Sequence, residues 1–130
     1  MLAVDTNLVV RYLTRDDAQQ FARAEAVIEG RETTYVSLTV LLETEWVLRS
    51  SYRYSRGRVV HALRAFAGLP SVALEDAALA SQALDWAEQG MDLADALHLA
   101  KAQSCEAFIT FDQPLVVTGA ALSPIPIRSP

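Results

Sequence analysis

Leu2-Ala3-Val4-Asp5-Thr6-Asn7 reads as a short apolar strand that ends on a carboxylate and turns at once, and this order decides the fold. Asp, Thr and Asn side chains accept hydrogen bonds from backbone N–H groups a few residues on, so the triplet favours a turn and a helix start. A first helix is expected from Leu8 to Leu13. Asp16-Asp17 supplies the next start signal, and Phe21, Ala24, Val27 and Ile28 recur at helical spacing until Gly30. The alternation continues with a β-prone run, Thr34 to Ser37, and a long helical pattern from Leu38 to Arg53. Ser55 restarts a helix that runs to Phe66. Gly68 and Pro70 end this pair, Ser71 to Leu74 alternates like a strand, and Glu75 to Glu88 is helical up to Gly90. Asp92 opens a helix reaching about Ser104. Ala107 to Phe111 is a buried-strand candidate and Ile125 to Ile127 an edge strand. Strands that alternate with helices indicate a parallel sheet covered by helices, hence a three-layer α/β domain.

The chain has 130 residues, of which 52% are hydrophobic, with five Gly and five Pro. That suits one globular domain, taken as residues 1–130, and excludes a disordered tail. The lone Cys105 can neither bridge internally nor build a thiolate metal site, which fits a reducing cytoplasm. No basic leader and no membrane-length apolar run is legible, so a cytoplasmic protein without a membrane partner is expected. The net charge of -5 is unevenly spread. Between Glu45 and Glu75 there is no acid but five arginines, Arg49, Arg53, Arg56, Arg58 and Arg64, so this stretch carries +5 and the rest -10. Such a segment could hold an RNA backbone, grip an acidic protein tail, or only solvate a helix pair.

Asp5 and Asp112 each follow an apolar strand candidate, the position from which open parallel sheets present ligand-binding groups. The plain alternative is that each caps the helix or turn after it. Glu43 projects among Thr39, Val40, Trp46, Val47 and Ser50, so it reads as an acid amid apolar neighbours that would need a cation, a proton or a buried partner. Leu41, Leu48 and Tyr52 make the opposite side apolar too, which leaves an exposed Glu43 face open and fits either a surface for dimerisation or a buried helix. Glu45 has Arg49 at i+4 and is read as a surface ion pair. Asp92 has the position of an N-cap, and Asp95 stands in the first helical turn, where the helix dipole favours a carboxylate. His98 reads as a half-buried structural histidine, or else a base or ligand. Should Asp5, Glu43, Asp95 and Asp112 converge, repulsion of about 4 kcal/mol per close pair would call for a divalent cation. Oxygen ligands without a Cys or His cluster point to Mg²⁺ or Mn²⁺.

Four stretches in order resemble the PIN-domain nucleases, and among them the VapC-type toxins of toxin–antitoxin modules. They are Leu2 to Asn7, Ser37 to Leu48, Asp92 to Ala102 and Phe108 to Asp112. The resemblance implies a central parallel sheet with helices on both sides and an acidic metal pocket at its carboxyl edge. It implies Asp5 and Asp95 as the regular metal ligands, Glu43 and Asp112 completing the pocket directly or through water, and Asn7 and Thr110 in support. It further implies a metal-dependent ribonuclease acting on structured RNA such as tRNA or rRNA, inhibited by a cognate VapB-like antitoxin. The stretch Gln113 to Leu122 departs from the family's usual basic, aromatic continuation. Two rivals stand beside this reading: a phosphatase forming an aspartyl-phosphate on Asp5, and a non-catalytic module that retains an ion. Against the phosphatase, position seven is Asn7 rather than a second aspartate, and Lys101 is the only lysine.

Overall fold

A computed structural model describes residues 1–130, with 58% of them helical. The elements run β1 (Leu2–Ala3), α1 (Thr6–Thr14), α2 (Ala18–Ile28), β2 (Thr34–Val36), α3 (Leu38–Ser50), α4 (Arg56–Ala67), β3 (Val72–Leu74), α5 (Ala77–Glu88), α6 (Leu93–Lys101), β4 (Phe108–Ile109), α7 (Gln113–Leu122) and β5 (Ile127–Arg128). All strand pairings are parallel, as an α/β chain requires when a helix separates each strand from the next. No helix is long and apolar enough to cross a membrane.

The chain divides into two compact units, Met1–Ala77 and Ala78–Pro130. In the first, β1, β2 and β3 form a sheet in that order, so β2 is its middle strand and Leu2 and Ala3 of β1 are exposed. Val9 and Tyr12 from α1, Ala24 and Ile28 from α2, Val36 from β2 and Phe66 from α4 form its core. The starts of α1 to α4 are set locally. Asp5, Asp17, Ser37 and Ser55 each accept the N–H three residues on, which satisfies one of the donors a helix start leaves open. Glu75, expected to open a helix, instead accepts the N–H of Leu38 at the start of α3 (3.1 Å), and α5 begins at Ala77.

Helix α3 is shorter than its pattern suggested. It stops at Ser50, and Arg53 adopts a left-handed conformation (φ 56°) while the Tyr54 N–H returns to the Leu48 carbonyl at 3.0 Å. Its buried residues are Leu38 at the start and then Leu41, Thr44, Glu45 and Leu48, the last four spaced i, i+3, i+4 and i+7. Two sequence expectations are therefore corrected. Glu43 lies on the exposed face, beside an outward Trp46, because the Leu41–Leu48 stripe is the one the core selects. Glu45, expected at the surface, is only 5% exposed; Arg49 pairs with it one turn on, which is what makes burial of its charge tolerable. The face considered for dimerisation is thus interior: Leu41 and Leu48 are buried, and the Tyr52 hydroxyl bonds Arg11 and Asp16.

In the second unit β4 and β5 pair with Phe108 opposite Ile127 and Ile109 opposite Arg128. The strand expected over Ala107–Phe111 shrinks to two residues, with Phe111 87% exposed, because the chain turns early. The Thr110 hydroxyl accepts the Asp112 N–H at 3.0 Å and closes that turn. Helix α7, unforeseen, follows. Its N-cap is Asp112, Pro114 sits in its first turn, and Gly119 lies where a Cβ would come within 2.0 Å of Ile127 Cδ1. Helix α6 ends at Lys101, earlier than expected, and His98 in its last turn is exposed rather than half-buried.

Candidate active site

The carboxylate of Asp5 is placed by the β1–α1 junction. Pairing with β2 continues past β1 through the Val4 N–H on the Tyr35 carbonyl, and Asp5 then takes an extended conformation as the N-cap of α1. Its Oδ1 accepts the Leu8 N–H at 3.1 Å, which leaves Oδ2 without a protein partner. Capping and ligand binding therefore do not compete. One oxygen serves the helix, and the other remains at the positive end of the α1 dipole, where negative charge is favoured.

Glu43 reaches the same place from the second turn of α3. A cavity of about 400 Å³ is lined by Asp5, Thr6, Asn7, Val40, Glu43 and Val47. Thr6, buried at the first position of α1, donates its hydroxyl to Glu43 Oε1. That bond ties the two helices across the cavity and limits the rotamers of a long side chain that is otherwise exposed. Two carboxylates, an amide and two valines thus face one open space. Thr6 was not singled out from the sequence beyond its turn-forming character. Its partner lies 37 residues away, so no local pattern could reveal it.

Of the other anticipated residues, Asp95 lies in the first turn of α6 at intermediate burial. Asp92 occupies the N-cap position of α6 but makes no side-chain capping bond, contrary to expectation; the α6 start relies on the Ala96 N–H bonding the Asp92 carbonyl. Asp112 caps α7 through Oδ1 to the Leu115 N–H (3.1 Å), the same division of labour as at Asp5, with Thr110 fixing the turn before it. Within either unit no three His, Cys, Asp or Glu side chains cluster tightly enough to hold a metal among themselves. Asp5 and Glu43 are the two anticipated acids that share a cavity inside one unit.

The arginine segment is distributed rather than gathered. Arg49 is tied to Glu45, the Arg58 guanidinium lies 3.7 Å from the centre of the Tyr54 ring, and Arg53 occupies the left-handed turn. A second polar group, not anticipated, stands on α1 and α2. Arg11 donates to both oxygens of Asp16 at 3.0 Å, to the Tyr52 hydroxyl at 3.0 Å and to Gln20 Oε1 at 2.6 Å. Hydrogen bonds from Tyr52 and Thr14, aided by Arg11, hold the Asp16 carboxyl down at about 2, and Asp16 in turn raises the Arg11 guanidinium.

The chain matches the family model described as PIN domain over residues 2–119. No curated protein matches it significantly.

Proposed function

This chain belongs to the PIN-domain family, and on that premise we propose that it is a Mg²⁺- or Mn²⁺-dependent endoribonuclease of the VapC toxin type. PIN domains are in general metal-dependent nucleases, so hydrolysis of phosphodiester bonds is the activity of its class. The finer reading is that this chain cuts structured RNA such as tRNA or rRNA in the cytoplasm and is restrained by a VapB-like antitoxin. One match runs through both compact units, which supports treating residues 1–130 as a single functional domain.

The observation that carries the proposal is the shared cavity of Asp5 and Glu43. Mg²⁺ is commonly held by one or two carboxylates, with water and substrate phosphate completing its shell, so this donor set fits it without an all-protein cage. Asp95 and Asp112 are proposed to complete the acidic set. Held by Asp5 and Glu43, such an ion would supply polarisation of a phosphate oxygen and a water of lowered pKa for the attack. The chain's own residues do the positioning. Asp5 is fixed by its capping bond, Glu43 by the Thr6 hydroxyl, and the Asn7 amide stands at the rim as a donor for a phosphate oxygen. No side chain needs to act as a covalent nucleophile, in contrast to an aspartyl-phosphate mechanism.

The test compares wild type with Asp5→Asn on an RNA panel in Mg²⁺ or Mn²⁺, after removal of any bound antitoxin. Asn is as good an N-cap as Asp, so the variant keeps its fold while losing the charge. Loss of cleavage, with wild-type products ending in 5′-phosphate and 3′-hydroxyl, is expected. Equal cleavage by the variant, or a phosphoryl group trapped on Asp5, overturns the mechanism. A wild type that binds Mn²⁺ yet leaves the panel intact favours a binding module. A short neighbouring reading frame for a DNA-binding protein would support the toxin role.

A further inference from the structure

Beside the acidic cavity lies a second one of about 410 Å³ between α1 and α2, lined by Asn7, Leu8, Arg11, Gln20, Arg23, Ala24 and Val27. Asn7 belongs to the walls of both, so the two spaces meet at that residue. Their chemistry is opposite. The first presents carboxylates; the second presents hydrogen-bond donors. Arg11 is locked by Asp16, Tyr52 and Gln20, which leaves Nη2 to donate elsewhere. Gln20 has its Oε1 occupied by Arg11, so its amide N–H groups remain to offer. Arg23 is exposed and has no ion-pair partner, whereas Arg11 is paired with Asp16, so Arg23 is the cation of this wall left to meet a ligand.

From this juxtaposition we propose that the Arg11–Gln20–Arg23 cavity is a phosphate subsite. It would hold a backbone phosphate of the polynucleotide flanking the bond positioned at Asp5 and Glu43. The inference rests on the nuclease reading for its substrate class. Its scale is suitable: Asn7 to Arg11 is one helical turn, about 6 Å, which corresponds to one or two nucleotide steps. A preorganised guanidinium beside a free one is also the donor arrangement that suits phosphate oxygens. The subsite lies outside the arginine stretch of α3 and α4, where Arg49 and Arg58 already have partners in Glu45 and Tyr54.

The test is direct binding of a fluorescent, uncleavable 2′-O-methyl oligoribonucleotide to wild type, Arg23→Ala, Arg23→Lys and Arg31→Ala across a salt series. Arg31 is an exposed arginine that does not line the cavity. Arg23→Ala is expected to weaken binding about five-fold and to reduce the salt slope by about 0.7, the loss of one phosphate contact on a single strand. Arg23→Lys should keep the slope, and Arg31→Ala should match wild type. An unchanged slope for Arg23→Ala, or an equal loss for Arg31→Ala, overturns the subsite. So does displacement of the oligonucleotide by equimolar inorganic phosphate, which marks a site for the free ion. Loss of binding to an acidic peptide alone would mark a protein-docking site and overturn it likewise. Because the probe cannot be cut, this result is independent of catalysis: binding with the expected slope but without cleavage of ordinary RNA would sink the nuclease reading and leave the subsite standing.

Discussion

Replacing Thr6 by Val isolates what the hydroxyl does for Glu43, because the substitution keeps the β-branched shape at a buried position. A hydrogen bond to a charged acceptor contributes about 1.5–3 kcal/mol, and Glu43 is exposed enough for water to replace part of it. The stability change should therefore be about 1 kcal/mol, a melting shift of roughly 3–5 °C for a chain of this size. Activity should suffer more. Without Thr6 the Glu43 side chain must be ordered at each catalytic event, a loss of about 1–2 kcal/mol, or roughly 5- to 30-fold in kcat/KM. The assay is RNA cleavage across a Mn²⁺ titration, with thermal melts on the same samples and Thr6→Ser as the variant that keeps the hydroxyl. Wild-type kcat/KM in Thr6→Val, or an equal loss in Thr6→Ser, would refute the idea that this hydroxyl positions Glu43.

Asp112→Asn should leave stability within a few tenths of a kcal/mol because Asn still caps α7, whereas Asp112→Ala should lose about 1 kcal/mol; both should lose cleavage, and thermal melts beside activity assays separate the two roles. Gly119→Ala gains helix propensity of about 1 kcal/mol but forces a methyl onto Ile127 Cδ1, an overpacking of about 1–3 kcal/mol, so the melting temperature should fall; adding Ile127→Val, which removes Cδ1, should restore it. The pH dependence should show two separate losses. Asp16, held at about 2 against an ordinary 3.8, stabilises the fold above pH 4 and loses this contribution as pH falls toward 2, so Asp16→Asn should flatten the acid limb of a stability profile. Tyr12, pushed up to about 12 by burial and its hydrogen bond to Glu29, contributes below pH 10 and loses this as pH rises to 12, which ultraviolet titration of tyrosinate should detect as one late-ionising group.

Most helix starts, which depend on neighbours within four residues, were legible in the sequence, whereas the missing capping bond of Asp92 and the start of α5 at Ala77 were not. Asp5, Asp17, Ser37, Ser55 and Asp112 each bond the N–H three residues on, and such bonds form wherever the local chain allows. The alternation of strands and helices, the parallel pairing it forces, and the stretches shared with the PIN family follow from the same short-range information. Helix ends were less legible: α3 stops without a glycine, at a turn where Arg53 accepts a left-handed conformation. Helix α7 was hidden because Val116, Val117, Thr118 and Gly119 are individually poor helix formers, and the reason for Gly119 lies in β5, at Ile127.

The sequence by itself determined that carboxylates would stand just beyond β1 and β4, because a capping aspartate after an apolar run is a local arrangement. Only the tertiary structure decided which face of α3 is buried. That helix is apolar on both sides, so its own periodicity cannot choose, and packing with the rest of the fold placed Leu41, Glu45 and Leu48 inside and Glu43 outside. The same choice brought Glu43 to Asp5 and gave it the Thr6 hydroxyl as a partner, a contact between residues 37 positions apart that no local rule encodes.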